Sequence, residues 1–203
     1  MTSSYEKNNY GEVFELITRA AFPRVTVELG VLHGYSTLHI CKGLKFLKDH
    51  WGADFKFDAY DLFEDYPYNH ANMADVRKTL DDNGYKDTVT LHKEDAFEVY
   101  KHYENRTISL MHVDLSNTGE TVRKIMEQWD QKLVHNGIIL FEGGSVERDN
   151  VEWMIKYNAP SIRKEMRENP IINRGVGWYA VGTYNKFPSL TMLYKRFDEE
   201  HTP

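Results

Sequence analysis

The sequence predicts an α/β fold in which helices cover both faces of one mostly parallel sheet. Apolar segments of strand length alternate strictly with segments whose apolar residues recur at helical spacing. This alternation indicates parallel strands joined by helical crossovers. Near the end of the chain, two strand-like segments are separated only by an Asn-Lys-Phe-Pro turn. They predict a terminal hairpin.

The first half of the chain supplies three of the strands and begins with a segment, residues 1–8, that is expected to be mobile. Pro23 ends the first helix because proline cannot continue a helical hydrogen-bond ladder. The predicted elements are, in order, a helix over 10–21, a strand over 24–29, a helix over 35–49, a strand over 55–62, a helix over 70–83 and a strand over 88–92.

The second half adds a continuous apolar strand of the kind that is buried at the centre of a parallel sheet. Asn136-Gly137 is expected to turn the chain into the fifth strand. The predicted elements are a helix over 96–103, a strand over 107–114, a helix over 118–133, a strand over 137–142, a helix over 151–169 that breaks at Pro160, and strands over 175–184 and 189–197.

The length and composition suit one globular domain. A chain of 203 residues is about the size at which single hydrophobic cores are common. We expect one domain over 1–203, with an N-terminal helical cap (1–22), a ligand-binding core (23–145), and a helix plus hairpin (146–203).

Charge and cysteine content exclude several classes of protein. The formal charge of −6 argues against a dedicated nucleic-acid binder. The single cysteine, Cys41, excludes an internal disulfide framework and indicates a reducing compartment, with a buried structural thiol. No apolar run approaches the roughly 18 residues that span a bilayer, and the polar N-terminus lacks the pattern of a signal peptide. We therefore expect a cytoplasmic protein without membrane or nucleic-acid partners.

A glycine-containing loop follows the first strand. The strand ends at Glu28-Leu29-Gly30, and Gly34 and Ser36 precede the next helix. Glycine lets a ligand approach the backbone closely, and the first turn of a helix offers unpaired N–H groups. Ligands of open α/β sheets bind at the carboxyl ends of the strands. This loop is therefore a candidate ligand site.

Each of the next four predicted strands also ends near a carboxylate. Asp61 follows the second strand, Glu94-Asp95 the third and Asp114 the fourth, and Glu142 ends the fifth. Acidic residues also favour loops and helix N-termini, which is the alternative explanation. A carboxylate such as Asp61 can accept hydrogen bonds from both hydroxyls of a ribose.

The pattern E-L-G-x-x-x-G-Y-S over residues 28–36, together with M-H-V-D at 111–114, resembles the class I S-adenosylmethionine-dependent methyltransferases. It is especially similar to the small-molecule O-methyltransferases of the macrocin and catechol type, the methyltransferase 24-like proteins. The resemblance covers roughly residues 10–197. It implies a Rossmann-like, mostly parallel sheet of seven strands with an antiparallel last strand. It also implies S-adenosylmethionine as cofactor and methyl transfer to an oxygen of a small molecule.

The resemblance also assigns residues to the cofactor. Asp61 would bind the ribose, Leu62 would pack on the adenine, Asp95 and Ala96 would hold its ring edge, and Asp114 would contact the methionine end. Asp95 can also serve as a helix N-cap. The implied contacts are Glu28, Gly30, Gly34, Ser36, Asp61, Leu62, Asp95, Ala96 and Asp114.

The catalytic groups of these relatives are only partly present. After Asp114 the chain has Leu-Ser-Asn, where the macrocin-type family has Asp-x-His, and the Asp-Asn pair of the catechol type becomes Glu142-Gly143. The catechol-type general-base lysine has no counterpart, since Asn117 stands near its position. Asp114 and Glu142 remain the candidate ligands of a Mg²⁺ ion. Together with His33, whose imidazole titrates near neutral pH, they are also the candidate catalytic groups.

Other functions are open at this point. A catalytically weak protein that binds S-adenosylmethionine or S-adenosylhomocysteine would explain the missing groups. A nicotinamide-dependent oxidoreductase would need G-x-G-x-x-G, which the loop lacks. Homo-oligomerisation is also open. Several aromatic residues are expected either to rim the site as a lid or acceptor pocket or to cap the core: Tyr5, Tyr10, Tyr66, Tyr68, Trp153 and Trp178.

Overall fold

A computed structural model describes residues 3–68, 70–174 and 178–196. Its strands are β1 (Val25–Leu29), β2 (Lys56–Asp61), β3 (Thr90–Lys93), β4 (Ile108–Val113), β5 (Leu133–Glu142), β6 (Tyr179–Tyr184) and β7 (Leu190–Lys195). Its helices are α1 (Ser4–Lys7), α2 (Gly11–Ala21), α3 (Tyr35–Trp51), α4 (Met73–Asp82), α5 (Gly119–Trp129), α6 (Val146–Asp149), α7 (Glu152–Lys156) and α8 (Ile162–Glu168).

The strands form one seven-stranded sheet in the order β3-β2-β1-β4-β5-β7-β6. β7 runs antiparallel to both β5 and β6, whereas the pairs β1–β2, β2–β3 and β4–β5 are parallel. The predicted α/β class, with an antiparallel last strand, is confirmed. The chain divides into two compact units, Met1–Val99 and Tyr100–Pro203. In the described part of the chain, no helix is long and apolar enough to cross a membrane.

In the unit Met1–Val99, the ends of three parallel strands define one edge. Leu29 pairs with Tyr60, and Asp61 pairs with Lys93, so β1, β2 and β3 all present their carboxyl ends there. Helices α2 and α3 approach each other closely at Gly43, where a Cβ would lie 2.7 Å from Cβ of Thr18. The free Cys41 of α3 is buried, and burial raises the pKa of its thiol.

The N-terminal segment differs from the expectation of mobility within its described residues. Ser3 caps the one-turn helix α1 by accepting a hydrogen bond from the Glu6 amide at 3.1 Å. Tyr5, Tyr10 and Phe14 are almost completely buried, and their ring centroids lie 4.9 to 6.4 Å apart. These tyrosines therefore belong to the core and do not rim an open site.

In the unit Tyr100–Pro203, β5 begins earlier than predicted. Ile108 pairs with Leu133 and Leu110 with Ile138, so the extra residues of β5 form an irregularity inside the strand. Asn136 has a left-handed φ of +65° within this segment. A Cβ on Gly137 would approach the Val134 carbonyl oxygen to 2.9 Å. The expected Asn136-Gly137 turn is therefore wrong, because the strand pairs on both sides of it.

Helix lengths between residues 96 and 169 also differ from the sequence expectations. The segment predicted as a helix over 96–103 contains only a 3-10 turn, Val99–His102, and α5 is followed by a second one, Asp130–Lys132. The predicted break at Pro160 is confirmed, since it separates α7 from α8. Helix α6, which begins after Ser145, was not predicted.

A buried polar cluster fixes the terminal hairpin to the end of α5. The Tyr179 hydroxyl donates to Asp130 Oδ1 at 2.6 Å, and Lys195 Nζ donates to the Asp130 carbonyl at 2.6 Å. The Arg174 guanidinium lies 3.2 Å from Asp130 Oδ2. Burial, followed by the negative charge of Asp130, raises the pKa of Tyr179 well above its usual range. This aspartate is fully paired and serves as an anchor of the hairpin.

Candidate functional site

The loop between β1 and α3 has a left-handed backbone at three positions, of which only Leu32 is not a glycine. φ is +89° at Gly30, +48° at Leu32 and +78° at Gly34. The Gly34 amide closes a tight turn by donating to the Val31 carbonyl at 2.8 Å. A Cβ at Gly34 would also approach Cγ1 of Val76 to 3.0 Å. Glycine is needed here both for conformation and for space.

Asp61, at the end of the neighbouring strand β2, holds this loop in place. Its Oδ2 accepts hydrogen bonds from the amides of Val31 at 2.7 Å and Leu32 at 2.9 Å. Its Oδ1 accepts a third from the Phe63 amide at 2.7 Å. A carboxylate has about four acceptor positions, so roughly one remains for a ligand. The sequence marked Asp61 as a ligand contact and did not reveal that it also shapes the loop.

Glu28 fixes the other side of the loop, where α3 begins. Its side chain is completely buried, with Oε1 accepting from the Ser36 hydroxyl at 2.6 Å and Oε2 from the Thr37 hydroxyl at 2.5 Å. The Ser36 hydroxyl is therefore committed to Glu28, which leaves the backbone of the first helical turn to face a ligand. Thr37 was missed by the sequence reasoning, although a hydroxyl beside Ser36 was the available signal.

The predicted adenine contacts lie at the ends of β2 and β3. Leu62 is half-buried, whereas the adjacent Phe63 is completely buried and belongs to the core. Asp95 is exposed, and its Oδ1 accepts from the Phe97 amide at 2.9 Å, as expected of a capping residue. Ala96 is buried, and its amide has no hydrogen-bond partner within the described ranges. Because β2 and β3 are parallel, these residues share one edge.

His33 is the one candidate catalytic group in this loop. Its side chain is half-buried, and Nε2 is enclosed without a hydrogen-bond partner among the residues that the structure describes. It lines a cavity of about 310 Å³ against the N-terminal half of α4, with Asn72 and Asp75. His33 is therefore not a plain surface residue. Its role as a base stays a prediction.

In the unit Tyr100–Pro203, Glu142 ends β5 with its side chain nearly buried. Its Oε1 accepts from the Asn117 amide nitrogen at 3.0 Å and lies 3.5 Å from Arg148 Nε. The Arg148 side chain is only 11% exposed, and its guanidinium lies 5.6 Å from the Trp153 ring centroid. Arg148 was missed by the sequence reasoning because α6, which carries it, has only four residues.

The surroundings of Glu142 do not fit a magnesium ion. Mg²⁺ needs oxygen ligands in octahedral geometry, whereas Glu142 faces a guanidinium and an amide donor. Asp114, the second candidate ligand, is half-buried directly after β4. No group of three or more His, Cys, Asp or Glu side chains that could hold a metal occurs in residues 3–68, 70–174 and 178–196. His112 on β4 is completely buried, which fits a core histidine.

The sequence matches a family model described as a methyltransferase domain over residues 27–142. The matched segment begins in β1, includes the loop and Asp61, and ends at Glu142, the last residue of β5. It spans more than half of the chain. No curated protein matches the sequence.

Solved methyltransferase structures share the fold. The SAH-bound methyltransferase PaMTH1 from Podospora anserina is 19% identical, with a TM-score of 0.68 over 98% of this chain and 80% of that one. The O-methyltransferase TomG from Streptomyces achromogenes, in complex with SAM, is 12% identical, with a TM-score of 0.67 over 93% and 80%. An O-methyltransferase from Bacillus cereus, in complex with SAH, is 14% identical, with a TM-score of 0.67 over 93% and 81%.

Proposed function

This chain belongs to the methyltransferase-domain family of the methyltransferase 24 type, and on that premise we propose that it transfers a methyl group from S-adenosylmethionine to an oxygen of a small molecule. The similar O-methyltransferases TomG and the Bacillus cereus enzyme, crystallised with SAM and SAH, support the choice of cofactor and of an oxygen acceptor.

One observation carries the proposal: the Asp61 side chain holds the neighbouring β1–α3 loop, which contains Gly30 and Gly34, in a fixed conformation. The carboxylate fixes two loop amides at 2.7 and 2.9 Å and retains about one acceptor position for a ribose hydroxyl. A loop held in place before the ligand arrives loses less conformational entropy on binding. Gly30 and Gly34 would let the amino-acid part of the cofactor approach the backbone, and Leu62, Asp95, Ala96 and Asp114 are the further proposed contacts.

In this proposal, the residues of the chain mainly hold the cofactor and orient the acceptor. When bound, S-adenosylmethionine supplies an electrophilic methyl group on its sulfonium. Holding an acceptor oxygen in line with that methyl group reduces the entropic part of the barrier. The acceptor proton must leave, and His33 is the strongest candidate base because its enclosed Nε2 has no partner among the described residues. Glu142 is a weaker candidate, since Asn117 and Arg148 already engage its Oε1.

Calorimetric titration with S-adenosylmethionine and S-adenosylhomocysteine tests the cofactor assignment. We expect saturable binding of both with one site per chain. Absence of measurable binding for either ligand refutes the proposal. A product-coupled screen for S-adenosylhomocysteine, with catechols, sugars and other hydroxylated small molecules as acceptors, tests the reaction.

A catalytically weak protein that binds the same cofactor is the second candidate. The engagement of Glu142 by Arg148, together with the absence of the relatives' Asp-x-His and Asp-Asn elements, favours it. The two candidates differ in one result. Cofactor binding with turnover of any acceptor supports the enzyme, whereas binding without turnover across the whole panel supports the binding protein.

A further inference from the structure

A second cavity lies in the unit Tyr100–Pro203, between α8 and the hairpin formed by β6 and β7. Its volume is about 220 Å³, and we call it the α8 cleft. Its lining includes Arg163, Met166, Arg167, Val181, Thr183 and Asn185. None of these residues has a place in the proposed methyl transfer.

Two arginines give the α8 cleft its charge. Arg163 and Arg167 are four residues apart on α8, so they lie one above the other on one face of the helix. Both are exposed, although the chain as a whole carries a formal charge of −6. Arg167 makes no hydrogen bond or ion pair with any residue that the structure describes. A guanidinium offers a planar set of donors that matches phosphate oxygens.

The carboxylates of this helix are engaged elsewhere. Glu165 is nearly buried and forms a two-pronged pair with Arg123, at 2.8 and 3.1 Å. Glu168 pairs with Lys164 at 3.8 Å. Asp149 is the acidic neighbour of Arg163: burial raises its pKa, while hydrogen bonds from the α8 N-terminus and the charge of Arg163 oppose that rise. Arg163 is thus shared with Asp149, and Arg167 is left to a ligand.

The hairpin wall adds one donor and an apolar surface. The Thr191 hydroxyl donates to the Gly143 carbonyl at 2.7 Å, so Thr183 must donate to Thr191 across their 3.1 Å contact. Thr183 therefore has no proton left for a ligand. The exposed Asn185 amide has no partner in the described part of the chain and can donate. The exposed Val181 presents apolar surface beside these polar groups, and the nearly buried Met166 also lines the cleft.

We propose that the α8 cleft binds the phosphate group of a small organic phosphate monoester. Two guanidinium groups and an amide match a dianionic phosphate, and the exposed Val181 suits the organic part of the ligand. The cleft adjoins the carboxyl end of β5, because Glu142 pairs with Leu190 and Leu190 with Tyr184 at the start of the hairpin turn. The site stands on its own geometry and does not depend on the proposed methyl transfer.

The test is calorimetric titration of the full chain with phenyl phosphate and with benzoate, at one fixed ionic strength. We expect phenyl phosphate to bind with a Kd of about 1 mM or tighter and benzoate to bind at least tenfold more weakly, since a monoanion leaves one guanidinium unmatched. Arg167→Gln should weaken phenyl phosphate binding about tenfold or more. The control, Lys164→Gln, removes the same charge three residues earlier on α8, outside the cleft, and should change the Kd less than about twofold.

Three results overturn the proposal. The first is no measurable binding of phenyl phosphate to the wild type. The second is equal loss of affinity in Arg167→Gln and Lys164→Gln, which would indicate a general effect of surface charge. The third is equal affinity for benzoate, which would indicate a general anion effect. Thermal unfolding of both variants should match the wild type, because both side chains are exposed.

Discussion

Asp61→Asn is the most informative change because it keeps the shape of the side chain and removes its charge. In the wild type, three backbone amides donate to this carboxylate, two from the loop and one from Phe63. An asparagine has one oxygen and one NH₂ group. If its oxygen faces the loop amides, its NH₂ group faces the Phe63 amide, and two donors then oppose each other.

The expected loss of stability follows from these contacts. A hydrogen bond to a charged group contributes about 1.5–3 kcal/mol, against about 1 kcal/mol for a neutral one. The substitution removes one of the three bonds and the charge from the other two. Because Asp61 is only half-buried, we take the lower part of the range and expect a loss of about 2–3 kcal/mol in the free energy of unfolding.

Urea denaturation and calorimetric titration with S-adenosylhomocysteine measure the two consequences separately. We expect at least about a tenfold loss of affinity, from the loss of the proposed ribose contact and the loosening of the loop. The control is Asp65→Asn, four residues later, whose carboxylate is exposed and pairs with Lys93 at 3.1 Å. Loss of stability with unchanged affinity would refute the ribose contact and leave the loop anchor. A variant that matches the wild type in both measurements would refute the reasoning altogether.

Three further substitutions, all in α3, test contacts that this helix makes. Thr37→Val removes a hydroxyl that donates to the buried Glu28 carboxylate and should cost about 2 kcal/mol in urea denaturation; an unchanged midpoint would contradict the contact. Gly43→Val places a side chain where even a Cβ would lie 2.7 Å from Cβ of Thr18, and it should destabilise the protein by at least about 2 kcal/mol. In the control, Gly182→Val, no atom lies within 4 Å of the new Cβ, so the stability should be close to that of the wild type. Burial lowers the pKa of His39 below its ordinary 6.5, against the raising effect of its hydrogen bond to Glu15. The unfolded chain therefore binds the proton more readily, so wild-type stability should fall as the pH drops below about 6.5, and His39→Gln should lose less between pH 8 and pH 5.5; equal losses would contradict this.

The elements nearest the loop could be predicted because their signals are local. β1 and α3 lie within two residues of the predicted 24–29 and 35–49, since alternation and helical spacing are properties of the segment itself. The Asn136-Gly137 pair is different. It has the composition of a turn, but β4 pairs with β5 on both sides of it, and that pairing involves residues more than twenty positions away.

Short elements stabilised by tertiary contacts also escaped prediction. Helix α1 has four residues, too few to show a periodicity. Its position depends on Tyr5, whose ring packs against Tyr10 and Phe14 in the core. In the same way, α6 is a four-residue helix capped by Ser145, and only the structure shows that it brings Arg148 to Glu142.

In the candidate site, the positions of the carboxylates could be predicted from the sequence, whereas their hydrogen-bond partners could not. The sequence placed carboxylates at strand ends, because strand ends follow from the local pattern. It proposed ligand-binding, metal-binding or catalytic roles for them, with a helix N-cap as the alternative for Asp95. In the structure, two of the three donors to Asp61 come from residues about thirty positions earlier, and the charge beside Glu142 comes from an unpredicted helix. A strand-end carboxylate can shape a loop, neutralise an arginine or bind a ligand, and these roles draw on the same few lone pairs. The role of such a carboxylate therefore depends on which hydrogen-bond donors lie beside it in the folded chain. Substitutions that remove its charge and keep its shape, such as Asp61→Asn, distinguish these roles.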